Sequence, residues 1–212
     1  MKLFLDTAIV SDVEKRFPTG LISGVTTNPT LIKKSGREPE DVYTDLFNLG
    51  VTDLSIEVPG TDCTELIANG FQAVRDYGSY ATVKLPCTVE GLKACKYLEE
   101  HNVRCNVTLV FSVSQAILCG IAKATYVSPF VGRLDDNGFK GLNLIKDICE
   151  VYCKQGIATK VLAASIRDAQ SAAKAFGYGA YICTLPPKVF DSMSTNVLTD
   201  KGLEQFNLDF LA

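Results

Sequence analysis

The chain has 212 residues, is 47% hydrophobic and carries a formal net charge of −3, with no long Lys/Arg run. That apolar content supports one well-buried core over residues 1–212 rather than two domains, and the charge argues against nucleic acid or an anionic membrane as the main partner, while a small anionic substrate held by a local Arg pair stays compatible with it. No signal peptide opens the chain, and no stretch reaches the ~20 apolar residues of a bilayer span, so a soluble cytoplasmic protein is expected.

The elements alternate along the chain. Strands are predicted at Lys2–Asp6 and Gly20–Thr26, then a helix at Asp41–Leu49, a strand at Asp53–Val58 and a helix at Thr64–Asp76. A strand at Thr82–Leu85 precedes a helix at Val89–Glu100, opened by the hydroxyl of Thr88 and the carboxylate of Glu90. The strand at Val103–Thr108 is followed by a helix at Ser114–Lys123, and the strand at Tyr126–Val131 by a helix at Leu142–Lys154. The last units are a strand at Lys160–Ala164, a helix at Arg167–Ala175 and a strand at Ala180–Thr184. Eight strands interleaved with helices imply a parallel sheet, and eight is the number that closes a (β/α)8 TIM barrel. An open doubly wound sheet is the competing arrangement, but the Gly-rich turn it needs after the first strand is absent. A surplus amphipathic segment, Gly202–Leu211, either covers the barrel floor or docks on a neighbouring subunit.

Eight cysteines are scattered, most of them among apolar neighbours, and read as reduced, buried small hydrophobes. Cys149 and Cys153 have no second Cys/His pair, and the one histidine, His101, reads as a solvated helix-end residue, so no metal is expected.

Side chains alternate across a strand, and in a parallel barrel both faces are expected to be apolar. Polar residues there need a reason. Asp6 ends the first strand and Thr26-Thr27-Asn28 the second. Ser55 and Glu57 share one face of the third, Thr82 and Lys84 of the fourth, Asn106 and Thr108 of the fifth, and Ser128 and Phe130 of the sixth; the seventh runs into Ser165. If that face points inward, these residues converge on the barrel mouth where this fold carries its active sites. Lys84, between Val83 and Leu85, has two readings. An amine in apolar surroundings loses hydration, which lowers its pKa and favours Schiff-base chemistry. Alternatively it snorkels to the strand end or forms a structural ion pair with Glu57. Asp6 and Glu57 are a candidate base and water- or proton-handling pair. Arg133 and Arg167 suit either a phosphate or plain surface solvation.

Several segments together resemble the transaldolase family, in its short-chain branch that also holds the fructose-6-phosphate aldolases. They are Phe4-Leu5-Asp6-Thr7-Ala8, Gly24-Val25-Thr26-Thr27-Asn28-Pro29-Thr30-Leu31, Val83-Lys84-Leu85-Pro86-Cys87-Thr88-Val89-Glu90-Gly91-Leu92, Asn106-Val107-Thr108-Leu109-Val110-Phe111-Ser112, Ser128-Pro129-Phe130-Val131-Gly132-Arg133 and Ala163-Ala164-Ser165-Ile166-Arg167. Thr30 stands where a Ser is common. The resemblance covers essentially the whole chain and implies a (β/α)8 barrel without metal or organic cofactor. It implies Lys84 as the Schiff-base amine and Asp6 as the base that takes the C4 hydroxyl proton of a ketose phosphate. Glu57 and Thr108 would hold the shuttling water, and Thr26 would help place Asp6 or its water. Asn28, Asn106 and Ser128 would bind the donor's hydroxyls, and Arg133, Ser165 and Arg167 its phosphate. The implied substrates are fructose 6-phosphate or sedoheptulose 7-phosphate with erythrose 4-phosphate or glyceraldehyde 3-phosphate, within the non-oxidative pentose phosphate pathway. The aldolases of the branch tend to carry Gln, Ala and Tyr where this chain has Glu57, Ser128 and Phe130, so transfer is expected over release of free dihydroxyacetone. A non-catalytic sugar-phosphate barrel and a phosphate-binding isomerase are the remaining alternatives. Family members of this size are often pentamers or decamers, so a homo-oligomer is expected.

Overall fold

A computed structural model describes residues 1–211. Eight strands, β1 (Lys2–Asp6), β2 (Ile22–Thr26), β3 (Leu54–Glu57), β4 (Ala81–Pro86), β5 (Cys105–Val110), β6 (Tyr126–Pro129), β7 (Lys160–Ala163) and β8 (Ile182–Leu185), close in sequence order into a barrel. Every neighbouring pair is parallel, including β8 with β1. The helices are α1 (Val10–Arg16), α2 (Pro29–Ser35), α3 (Pro39–Asn48), α4 (Cys63–Tyr77), α5 (Val89–Glu100), α6 (Val113–Ile121), α7 (Val131–Asp136), α8 (Gly141–Gln155), α9 (Ala169–Gly177), α10 (Pro187–Ser192) and α11 (Val197–Phe210). The fold is the expected TIM barrel. No helix among the described residues is long and apolar enough to cross a membrane.

Strand alternation produces two separate apolar clusters. Outward residues such as Leu5, Val25, Val83, Val107 and Cys183 join Leu66, Leu98, Ile145 and Ile148 of the surrounding helices in the main core. Inward residues Phe4, Tyr126, Leu162, Ala164 and Ile182 form a second cluster on the barrel axis. Most of the remaining inward positions are polar. At the N-terminal end of the strands the buried Asp53 carboxylate accepts bonds from Thr82 Oγ1 (2.8 Å), Arg104 Nη1 (3.0 Å) and Tyr126 Oη (2.7 Å). This plug closes the barrel floor, and Phe4 packs edge-on against Tyr126 above it.

Several boundaries differ from expectation for local reasons. The second strand starts at Ile22, because Gly20 turns with φ +71° at the end of a short 3-10 segment, Phe17–Thr19. The fifth shifts to Cys105–Val110, because Asn102 adopts φ +61° and the Val103 amide still bonds Leu98 of α5. The sixth ends at Pro129, since Val131 already opens α7. His101 caps the C-terminus of α5 in solvent, stacked on Tyr97. The last helix begins five residues before the expected Gly202 and buries no residue, leaving Val197, Leu198, Leu203, Phe206, Leu208 and Phe210 exposed. It does not cover the barrel floor.

Gly24 lies on the inner face of β2, where a Cβ would come 2.5 Å from the Asp53 carbonyl oxygen and 2.7 Å from the Phe4 ring. Gly24→Ala is therefore expected to destabilise the protein by about 1–3 kcal/mol through overpacking of backbone and ring, measurable as a lower denaturant midpoint; an unchanged midpoint would refute the close approach.

Candidate active site

The C-terminal ends of the strands surround a cavity walled by Asp6, Thr26, Asn28, Lys84, Ser128, Phe130, Arg133 and Ser165, all singled out in the sequence, together with Leu162, Ala164 and Thr184. Lys84 is buried at its floor. Because β3 and β4 pair Glu57 with Lys84 in register, their side chains leave the sheet side by side, and Lys84 Nζ lies 3.1 Å from Glu57 Oε2. The same amine donates to the Thr27 carbonyl at 2.8 Å. The apolar surroundings expected for Lys84 are thus corrected: Val83 and Leu85 point outward into the helix layer, and the amine sits among oxygens. The ion pair with Glu57 is real, and at this distance it is also a path for a proton.

Asp6, at the end of β1, accepts a 2.7 Å hydrogen bond from Thr26 Oγ1 on β2, its partner in register. Burial pushes the Asp6 carboxyl above the usual carboxylate range, with the Thr26 hydrogen bond and the charge of Lys84 pulling the other way. Thr26 Oγ1 also lies 2.6 Å from Thr184 Oγ1 of β8. Sequence reasoning passed over Thr184, although it follows the same rule as the others, a polar inward residue near the C-terminal end of its strand. It also passed over the Thr27 carbonyl, for which no sequence signal exists, since every residue carries one.

Around this centre the polar side chains are chained together. Ser128 Oγ donates to Asn106 Oδ1 at 2.6 Å, and Asn106 Nδ2 to Ser55 Oγ at 3.2 Å, so Asn106 lies beneath the wall and orients Ser128. Asn28 uses Oδ1 to cap α2 through the Leu31 amide at 2.9 Å, which leaves its NH2 group for another partner. Thr108 is off the cavity wall, and its Oγ1 is buried without a hydrogen-bond partner among the described residues. Such orphaned hydroxyls are rare, and a functional water is one of their ordinary explanations.

At the rim, the Phe130 ring stands 5.8 Å from that of Phe111, with the Arg133 guanidinium 4.8 Å above its face. Ser165 adopts φ +59°, a left-handed conformation uncommon for a non-glycine residue, and its carbonyl accepts from the Gly132 amide at 3.0 Å. A Cβ on Gly132 would collide with that carbonyl, so glycine is what lets α7 close against Ser165. Arg167 is not brought onto the cavity wall. Its guanidinium grips both carboxylate oxygens of Asp136 at an exposed position, with Nη1 2.5 Å from Oδ1.

The raised Asp6 pKa has a sign for stability. The unfolded chain ionises this carboxyl near pH 4, before the folded one does. Stability is therefore lost as pH rises from there through the folded value, and the loss is constant above it. Asp6→Asn keeps an acceptor for Thr26 and removes that loss. Thermal melts should place the variant at or above the unaltered protein at pH 7, with the difference vanishing as pH falls below about 4; a clearly lower Tm at pH 7 would contradict the assignment.

A profile of the Transaldolase/Fructose-6-phosphate aldolase family matches residues 3–210. Among curated proteins, a probable transaldolase of Symbiobacterium thermophilum is 44% identical over 212 residues, 100% of this chain and 98% of that protein. A probable transaldolase of Caulobacter vibrioides is 44% identical over 210 residues, 99% of this chain and 96% of that one. Another, of Lactiplantibacillus plantarum, is 44% identical across 100% of this chain and 97% of its own length. By sequence over its full length, and with the barrel and cavity described above, the chain belongs to the transaldolase/fructose-6-phosphate aldolase family.

Proposed function

We propose that this enzyme is a transaldolase that moves a dihydroxyacetone unit between sugar phosphates through a Schiff base on Lys84. The observation that carries the reading is one buried amine, at a barrel mouth, within 3.1 Å of a carboxylate that can exchange its proton and facing a second carboxylate, Asp6, on the same cavity. Lys84 Nζ attacks the C2 carbonyl of the ketose phosphate, and loss of water gives the iminium. Asp6 then takes the C4 hydroxyl proton. The C3–C4 bond breaks, its electron pair moves toward the iminium nitrogen, and an aldose phosphate leaves. The enamine left on Lys84 attacks the aldehyde carbon of an acceptor, Asp6 returns its proton to the new hydroxyl, and water releases the product ketose. Its raised pKa suits Asp6 to both directions of that exchange.

Glu57 and Thr108 would hold the water of imine formation and hydrolysis, consistent with the ion pair of the first and the orphaned hydroxyl of the second. Asn28, Asn106 and Ser128 would bind the hydroxyls of the donor. Arg133, Ser165 and Arg167 would hold the phosphate, with Arg167 exchanging its Asp136 partner for it. Fructose 6-phosphate or sedoheptulose 7-phosphate as donor, and erythrose 4-phosphate or glyceraldehyde 3-phosphate as acceptor, place the reaction in the non-oxidative pentose phosphate pathway of the cytoplasm. A homo-oligomer is part of the proposal, because α11 exposes apolar side chains and buries none within its own chain.

Transfer is favoured over release by Phe130. Its ring is on the cavity wall, and a phenyl group has no proton to give the enamine, so the intermediate waits for an acceptor. Fructose-6-phosphate aldolase activity is the second reading. Phe130→Tyr is expected to raise release of free dihydroxyacetone relative to transfer, assayed with and without acceptor, and an unchanged ratio would sink this account of specificity. For the central claim, borohydride reduction in the presence of fructose 6-phosphate should leave a covalent adduct that peptide mapping finds on Lys84. Lys84→Met should abolish both adduct and transfer, and Asp6→Asn should lower kcat by roughly 10²–10⁴-fold. No adduct on Lys84 would refute the mechanism.

A further inference from the structure

Thr26 Oγ1 lies within hydrogen-bond reach of two oxygens, Asp6 Oδ1 at 2.7 Å and Thr184 Oγ1 at 2.6 Å. A threonine hydroxyl has one proton. An ionised carboxylate only accepts, so the Thr26 proton goes to Asp6. The contact between the two threonines then has one solution, with Thr184 donating to Thr26. We infer that Thr184 is a positioning residue for carbon–carbon bond cleavage, acting through Thr26 on the Asp6 carboxylate. The inference rests on the proposed role of Asp6 as the base.

The fold makes this contact specific. Strand β1 lies between β2 and β8, with Asp6 in register with Thr26 and Phe4 in register with Thr184. The two threonines therefore reach past β1 from opposite sides and meet on the barrel axis beside the carboxylate. Both are buried, at 2% exposure each. Among the described residues Thr26 is the one hydrogen-bond partner of the Thr184 hydroxyl, whose inward neighbours Phe4, Leu162 and Ile182 are apolar. A donor at Thr184 polarises the Thr26 O–H and strengthens its bond to the carboxylate. It also holds Thr26 in the rotamer that points at Asp6. When Asp6 takes up a proton the order reverses: Asp6 donates to Thr26, Thr26 to Thr184, and the Thr184 proton turns toward the cavity it lines. The pair thus follows both charge states of the base without a movement of backbone.

The charged groups facing Asp6 are Lys84 of β4, with its Glu57 partner on β3, and Arg133 of α7 across the cavity. A change at Thr184 leaves all of them in place. Thr184→Val keeps the side-chain shape and removes the hydroxyl. It is expected to lower kcat for transfer roughly tenfold, to leave KM within about twofold, and to move the acid limb of the kcat profile to higher pH, because the Asp6 carboxylate loses support. Thr184→Ser restores the hydroxyl and should bring back both kcat and the limb. Thr184→Ala is read in the same way if the valine variant does not fold. Imine formation does not use Asp6, so borohydride trapping of dihydroxyacetone on Lys84 should be as complete in the variants as in the unaltered protein. Absence of that adduct in the unaltered protein would overturn the Schiff-base reading itself. A normal adduct together with an unmoved acid limb and unchanged kcat in Thr184→Val would overturn the role of Thr184 alone. So would a loss that Thr184→Ser fails to rescue.

Discussion

In a closed barrel every second side chain of each strand points at the axis, and below the mouth it is out of reach of bulk water. This constraint organises the molecule. Strands β1, β7 and β8 answer it with Phe4, Leu162 and Ile182, which pack on Tyr126. Strands β3 to β6 answer it with polar side chains, and burial obliges these to find one another. The outcome is a stack. Asp53 gathers Thr82, Arg104 and Tyr126 at the floor, Ser55, Asn106 and Ser128 are chained above it, and Asp6, Glu57 and Lys84 stand at the mouth. The groups at the mouth stand at strand ends above these buried, hydrogen-bonded layers, and strand-borne groups are held more precisely than groups on loops.

The amine of Lys84 is held by two elements whose sequences have no other relation. Register between β3 and β4 sets Glu57 beside it. The Thr27 carbonyl arrives from the turn between β2 and α2, and the next residue, Asn28, caps that helix. One turn therefore supplies an acceptor for the amine, starts a helix and leaves an amide group at the cavity. Thr26, just before it, serves Asp6. The dense run Thr26-Thr27-Asn28 is explained by four tasks falling on three residues, each set by backbone direction at a strand end.

Strand parity made most of this legible in the sequence, because a polar residue on a buried strand is costly wherever the strand begins or ends. Boundaries were less legible, since they depend on single left-handed residues such as Asn102 that composition does not mark. Of the two sequence readings of Lys84, the ion pair with Glu57 is present and the apolar surroundings are not. Its neighbours in sequence, Val83 and Leu85, face the helices, and its neighbours in space come from β2 and β3. Along a strand, adjacency in sequence means opposite faces. Arg167 was grouped with Arg133 by its position past a strand, yet its nearest anion is Asp136 of α7. Pairing of exposed side chains across loops leaves no periodic trace. The last helix was visible by its amphipathic pattern, but no residue of it is buried against the other described residues.

The two carboxylates at the mouth show how environment divides labour between like groups. Glu57 touches the amine directly, and in the proposed mechanism it would trade a proton with the amine or with water as the imine is made and broken. Asp6 makes no contact with the amine short enough to be an ion pair. It feels Lys84 only as a charge across the cavity, and its burial is answered by one hydroxyl rather than by a cation. Burial with so little compensation holds the Asp6 carboxyl above its ordinary value, which would favour its proposed role as a base toward an alcohol. In the proposed mechanism, an Asp6 paired with Lys84 in place of Glu57 would be a poorer base and would tie up the amine. The separation of Asp6 on β1 from Glu57 on β3 by the width of β2 is a topological fact that the proposed mechanism would use, and Thr26, on the strand between them, supports the carboxylate without contacting the amine.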